Sequence, residues 1–218
     1  MASKVMKEET KDFLLAEFEL LREMRDRVIN RSEERIKFYF SLLSGAGAFL
    51  ALAPQFFTTG QGFYIIILVV LIALLIFGVL TLDRLISGHV AARIYARGIN
   101  RVRRYFVDND KSIIKYLMLP STDDIPELGI IGFTEKKGAN TGNVSMMIYT
   151  NTILIGAICL IIFVQLLNVQ LIYAIIAIII FVIISLLAHF RYYARQIQQV
   201  QKKISVNFPK ETNTAKKR

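Results

Sequence analysis

Four long apolar runs, grouped in two pairs, dominate the pattern of hydrophobic and polar positions along this chain. The first pair covers residues 38–54 and 63–82, and the second covers residues 146–167 and 171–190. A helix needs roughly 20 mainly apolar residues to cross about 30 Å of hydrocarbon, so each run is close to the length of one membrane span. The runs are continuous and do not alternate, which favours helices over a β-barrel. We therefore predict an all-α membrane protein in which four transmembrane helices form two hairpins.

Charged residues lie outside these pairs and indicate the orientation of the chain. Residues 1–37, 83–145 and 191–218 contain all 27 Lys and Arg, whereas the turns at 55–62 and 168–170 contain no charged residue. Basic segments next to spans stay on the cytoplasmic side of a membrane. We therefore predict that both termini and the middle segment face the cytoplasm, at a bacterial inner membrane or a plasma membrane.

The three charged segments are also predicted to contain helices. Apolar residues recur at seven-residue intervals in residues 8–37, which predicts an amphipathic helix that runs directly into the first span. We expect the second span to continue as a helix through residues 83–105, followed by a short helix at 111–119. The fourth span should likewise continue into a tail helix that ends at Pro209, before a disordered basic end.

A stripe of arginines on the predicted middle helix is the strongest candidate binding surface. Its members are spaced by three or four residues: Arg93, Arg97, Arg101 and Arg104. They could pair internally with acids of the N-terminal helix, namely Glu17, Glu23, Glu33 and Glu34. They could instead bind anionic lipid headgroups of the cytoplasmic leaflet. A phosphate-bearing ligand or a nucleic acid, stacked on the neighbouring aromatic residues, is the third and least favoured interpretation.

Two further sets of residues lie inside the predicted spans. Ser41, Gly45 and Ala48 of the first span are small, and small residues let helices approach closely in lipid. We expect them to pack against a neighbouring span. Asn151 and Gln165 are polar residues of the third span, and we predict that they would line a pore if the protein forms one.

No residue pattern indicates an enzyme, a cofactor or a metal ion. The span interiors contain no Asp, Glu, Lys or Arg, and the catalytic and phosphate-binding motifs with a known mechanism are missing from the sequence. His89 and His189 are too few to form a structural metal site, and polar packing at the membrane boundary is the preferred role for both. Asp83 lies at the edge of the second span, where water and Arg84 can satisfy its charge.

The acidic residues of the middle loop are predicted to have no special role. Asp123, Asp124 and Glu127 flank Pro126, and such an acidic turn is usually solvated. These patterns together predict a non-enzymatic integral membrane protein, a scaffold or a sensor/effector that acts through its cytoplasmic helical layer as a homo-oligomer. The alternative is an oligomeric channel or pore.

Overall fold

A computed structural model describes residues 8–57, 60–119, 121–123, 142–203 and 206–208. In these ranges the protein is helical and contains no strand. The helices, in chain order, are α1 (Glu8–Phe56), α2 (Gln61–Asn109), a 3₁₀ helix (Lys111–Tyr116), α3 (Gly142–Leu160) with a following π-helical turn (Ile161–Leu166), and α4 (Leu171–Lys203). Four helices in these ranges are long and apolar enough to cross a membrane, so the all-α class and the four candidate spans are confirmed.

Three of the helices continue well beyond the apolar runs. Helices α1 and α2 have 49 residues each and α4 has 33. At about 1.5 Å per residue, α1 and α2 are each roughly 73 Å long, more than twice the thickness of the hydrocarbon. The expected continuity of the N-terminal helix with the first span is therefore confirmed, as is the continuity of the second and fourth spans with the helices that follow them.

The segment after α2 differs from the expected short helix. Residues 111–116 form a 3₁₀ helix, and the Asp110 side chain caps its start by accepting a hydrogen bond of 2.8 Å from the Ser112 backbone N–H. Of the loop predicted at 121–143, residues 124–141 lie outside the described residues, and α3 already begins at Gly142. Pro120 and Pro209 also lie outside them.

The chain divides into two compact units. The first, here called the charged unit, contains the described residues before 32, between 88 and 123, and after 198. The second, here called the span unit, contains residues 32–87 and the described residues from 142 to 198.

All four long helices contribute side chains to the core of the span unit. Its fully buried members include Tyr39, Leu82, Ile86, Met147 and Ile148. By contrast, large apolar side chains of α2 and α4 such as Ile72 and Ile176 are exposed on the protomer. Such an outer face suits a lipid environment, in which apolar side chains need no protein cover.

A π-helical turn ends α3 and leads into the tip before α4. The Leu167 N–H donates to the Ile162 carbonyl at 3.0 Å, five residues back, instead of four. Asn168 then adopts a left-handed backbone conformation with φ of 51°, which Asn tolerates better than most residues. The Tyr173 N–H donates to the Gln170 carbonyl at 3.0 Å and begins α4.

Gly78 of α2 is the point of closest approach between three helices of the span unit. A Cβ atom at this position would lie 2.0 Å from Asn151 Oδ1 of α3 and 2.7 Å from Tyr39 Oη of α1. Both distances are far below van der Waals contact, so only glycine lets these two side chains occupy their positions. The Tyr39 hydroxyl also donates to the Leu74 carbonyl of α2 at 3.4 Å.

We predict that Gly78→Ala destabilises the span unit by about 1–3 kcal/mol or more, since overpacking forces neighbouring side chains or helices to shift. Gly47→Ala is the matched control, because a Cβ there would meet nothing within 4 Å. Thermal unfolding of both variants in detergent measures the difference. Adding Asn151→Ala and Tyr39→Phe to Gly78→Ala should recover most of the loss, and no recovery would show that the helix backbones themselves set the limit.

Candidate functional site

The charged unit contains a buried carboxylate that binds one arginine of the predicted stripe. The side chain of Asp123 is fully buried, and its Oδ2 atom lies 2.7 Å from Arg101 Nε. A buried carboxylate is costly to desolvate unless its partners replace the lost water. The expectation that this acidic turn is solvated is therefore wrong for Asp123, because Arg101 and the chain near residue 208 enclose it. Asp124 and Glu127 lie outside the described residues.

The same carboxylate also fastens the end of the chain. The backbone N–H groups of Asn207 and Phe208 donate to Asp123 Oδ2 and Oδ1 at 3.1 and 2.8 Å. In return, the Asp123 N–H donates to the Phe208 carbonyl at 3.0 Å. We call residues 206–208 the strap. A single side chain thus connects α2, the segment after the 3₁₀ helix and the strap.

Side chains of α2 hold the residue before Asp123 as well. The Asn100 amide donates to the Thr122 carbonyl at 2.9 Å, and Arg103 Nη1 donates to Asn100 Oδ1 at 3.0 Å. These bonds fix the backbone that carries Asp123. The position of its carboxylate is thereby set by two neighbouring turns of α2.

Burial would raise the pKa of the Asp123 carboxyl, but its hydrogen bonds outweigh this effect. The bonds from Arg101 and from the Phe208 and Asn207 N–H groups stabilise the charged form, and the pKa lies below its usual value of 3.8. Asp123 is therefore a carboxylate at neutral pH, and charge-assisted bonds of this kind are the stronger class of hydrogen bond.

The other arginines of the stripe differ in their surroundings. Arg104 Nε lies 2.9 Å from Asp108 Oδ1, and its guanidinium lies 6.0 Å from the centre of the Phe208 ring. Arg97 is buried and Arg93 is half-buried. The stripe therefore faces into the charged unit. For Arg101 and Arg104, internal pairing is present, although the acids come from α2 itself and from the segment after the 3₁₀ helix.

One of the α1 acids that were the expected partners pairs within its own helix. Glu23 forms an ion pair of 2.6 Å with Arg27, one turn along the same helix. Glu33 and Glu34 belong to the span unit, whereas the arginine stripe belongs to the charged unit.

Positive charge is concentrated around Arg103, which is not in the predicted stripe. Its guanidinium lies 5.7 Å from the centre of the Phe18 ring of α1. Burial lowers the pKa of Arg103, and repulsion from the charge of Arg25 lowers it further. Arg25 is therefore close enough to Arg103 for their charges to repel, and Arg25 also forms an ion pair of 3.0 Å with Asp26.

His89 begins the part of α2 that belongs to the charged unit, and it is held neutral. Burial lowers the pKa of the His89 imidazole from 6.5 to about 4, and the charge of Arg93 acts in the same direction. At neutral pH the imidazole is therefore uncharged, and its role in polar packing at the membrane boundary stays a prediction.

In the span unit, polar side chains form a chain of hydrogen bonds between α3 and α4. Thr152 Oγ1 donates to the Ile148 carbonyl at 2.8 Å and lies 3.3 Å from Ser185 Oγ. His189 Nδ1 lies 3.2 Å from Ser185 Oγ and 2.8 Å from the Ser185 carbonyl. Because a carbonyl only accepts, His189 Nδ1 is the donor of the bond to the Ser185 carbonyl. This chain joins two spans without a charged residue.

A second link between spans lies at the end of the second apolar run. The Tyr192 hydroxyl of α4 donates to Asp83 Oδ1 of α2 at 2.5 Å. Donating this bond to Asp83 raises the pKa of Tyr192. The partner of Asp83 is thus a tyrosine that is 109 residues away in the sequence.

The two predicted pore-lining residues occupy different environments. Asn151 is completely buried within the protomer, next to Gly78. Neither its amide oxygen nor its amide nitrogen has a hydrogen-bond partner among the described residues. Gln165 is exposed and lies in the π-helical turn at the other end of the span.

The small residues of the first span lie on an open face of α1. Ser41, Gly45 and Ala48 are exposed, and a Cβ atom on Gly45 would meet nothing within 4 Å. Packing of this face against a neighbouring span stays a prediction. No group of three or more metal-ligating side chains occurs in the part of the chain that the structure describes.

Comparison of the chain with known protein families, with curated proteins and with solved structures gives no match.

We predict that the free energy of unfolding of the charged unit near His89 is highest above pH 6.5. It should fall as the pH drops from 6.5 to about 4. The folded state keeps His89 neutral, whereas the unfolded state binds a proton over this range, so acid favours unfolding. Hydrogen-exchange protection factors for residues 88–107 measure the effect. In His89→Gln the protection factors should no longer change over this pH range, and an unchanged pH dependence would assign the effect to another group.

Proposed function

We propose that this protein is a non-enzymatic integral membrane protein, a scaffold or a sensor/effector, that acts through a cytoplasmic layer of helices. The observation that carries the proposal is the set of bonds made by Asp123. They join helix α2, a loop segment and the strap, which follows α4, into one charged unit. Two candidate spans therefore continue into helices that are connected again outside the apolar runs.

The topology that we propose consists of two hairpins with both termini and the middle segment in the cytoplasm. The distribution of all 27 basic residues supports this orientation. The Asp83–Tyr192 bond supports the pairing of the second and fourth spans at the ends that adjoin the charged segments. The amphipathic helices of these segments would then form a layer on one side of the membrane.

A signal would be transmitted by displacement of α4 against α2. These helices are linked in the span unit through the hydrogen bond between Asp83 and Tyr192. In the charged unit, α2 is linked to the strap through Arg101 and Asp123. A movement of α4 along α2 would strain at least one of these bonds. In a sensor of this kind, the arrangement with both links formed would be one of two states.

We further propose that the protein is a homo-oligomer and that the open face of α1 is the contact surface. The α1 span is the least apolar of the four candidate spans, which makes it the least suited to face lipid alone. Its face of small residues offers no steric barrier to a second helix, and small residues are enriched where transmembrane helices meet. Anionic lipid headgroups remain proposed partners on the cytoplasmic side.

We predict that Gly45→Cys, in a Cys159→Ala background, forms disulfide-linked dimers when native membranes are oxidised. The matched control is Ile176→Cys, since Ile176 is an exposed apolar residue of α4. Non-reducing gels measure the linked fraction at both positions. Equal cross-linking at the two positions would indicate random collision and would contradict an interface on α1.

An oligomeric channel is the second candidate, and the same face of α1 favours it. A ring of protomers that turn Ser41, Gly45 and Ala48 toward a shared axis would line a narrow polar path without charged residues. Conductance of the purified protein in planar bilayers tests this function. Steady conductance that a large residue at position 45 blocks would favour the channel, and silence under voltage would favour the scaffold or sensor.

A further inference from the structure

The carboxylate of Asp123 is bound in the way that proteins bind a free anion. It receives hydrogen bonds from one guanidinium nitrogen, Arg101 Nε at 2.7 Å, and from two successive backbone N–H groups, those of Asn207 and Phe208. Successive N–H groups beside an arginine are a common donor set for phosphate and carboxylate groups. The donors to the carboxylate belong to α2 and the strap, and the Asp123 backbone N–H adds one further bond to the strap, at the Phe208 carbonyl.

The surroundings of this donor set carry more positive charge than Asp123 neutralises. Arg103 and Arg104 lie on the same helix within three residues of Arg101. Arg25 repels Arg103, but its own charge is paired with Asp26 at 3.0 Å, so Arg103 carries the charge that has no acidic partner among the described residues here. Asp108 is an exposed partner of Arg104 on the same helix, and its contribution is screened by solvent. An anion with a larger charge than one carboxylate would therefore be attracted to this position.

We propose that Asp123 fills an anion site and that a phosphate-bearing ligand competes with it. The site consists of Arg101 Nε and the strap N–H groups, with Arg103 and Arg104 beside it, and Asp123 is its built-in competitor. When the ligand binds, Asp123 leaves together with residues 121 and 122, and the ligand phosphate holds the strap in its place. The inference rests on the proposed function, because it supplies the ligand class to which the sensor responds.

Chemical rescue tests the site directly. A spin label on Val206→Cys, in a Cys159→Ala background, reports the mobility of the strap, since Val206 is exposed and outside the bonded pair. In full-length protein in phosphatidylcholine nanodiscs the label should be immobile. Asp123→Ala should raise its mobile fraction about tenfold or more, because a charge-assisted set of bonds is lost. Asp26→Asn removes one acidic charge elsewhere in the charged unit and should leave the label immobile.

Phosphate should then reverse the effect of Asp123→Ala. Millimolar inorganic pyrophosphate is expected to immobilise the label again, whereas NaCl of equal ionic strength is not. Rescue should disappear in Asp123→Ala combined with Arg101→Gln. Nanodiscs that contain phosphatidylglycerol, without pyrophosphate, form the second arm. Rescue by pyrophosphate alone identifies a soluble phosphate ligand, and rescue by the lipid identifies a headgroup. If neither restores the strap, or if NaCl does so equally, the anion site is disproved.

A second measurement keeps Asp123 in place, in case its removal prevents folding. A label on Ser121→Cys should become mobile when pyrophosphate displaces Asp123 from the site. A label that stays immobile at saturating pyrophosphate would contradict competition. That result would not contradict the proposed function, because cross-linking through α1 and the links between α2 and α4 do not depend on a ligand.

Discussion

The buried carboxylate of Asp123 is the interaction on which the charged unit depends. Among the described residues, Asp123 is the only fully buried acidic residue. Three hydrogen-bond donors from two other segments surround its carboxylate. Separating a buried charge from its partners costs far more free energy than breaking an exposed ion pair, because the charge would remain buried and unpaired. The exposed pairs Arg22–Asp26 and Arg27–Glu23 on α1 contribute much less. The position of the strap consequently depends mainly on its bonds to Asp123.

Different interactions stabilise the span unit, since lipid provides no hydrophobic driving force for apolar helices to associate. Close packing and a few polar contacts decide which faces meet. Gly78 permits the approach of Tyr39 and Asn151, and the Thr152–Ser185–His189 chain joins α3 to α4. Large apolar side chains then remain on the outside of α2 and α4, where they would be costly in water and are suited to lipid. Close packing and a few polar contacts thus stabilise the span unit, whereas charge-assisted hydrogen bonds stabilise the charged unit.

Much of the fold could be predicted from the sequence because it depends on composition over long windows. The four candidate spans follow from the apolar runs, and the continuity of α1 follows from the lack of Gly or Pro before Gly45. The partners of single side chains could not be predicted in this way. Asp123 and Arg101 are 22 residues apart, and the strap is 84 to 85 residues from Asp123, so no local periodicity relates them. Gly78 likewise looks like any small residue of an apolar run until Asn151 is placed beside it.

The central claim is that Asp123 holds the strap against α2 within the charged unit. The distance between spin labels on Ile94→Cys and Val206→Cys, in a Cys159→Ala background, tests this claim most directly, since both positions are exposed. Pulsed electron–electron double resonance measures that distance. The account predicts one narrow distance distribution for the protein with Asp123 and a broad one for Asp123→Asn. A broad distribution with Asp123 present, or a narrow one that survives its replacement, would contradict it.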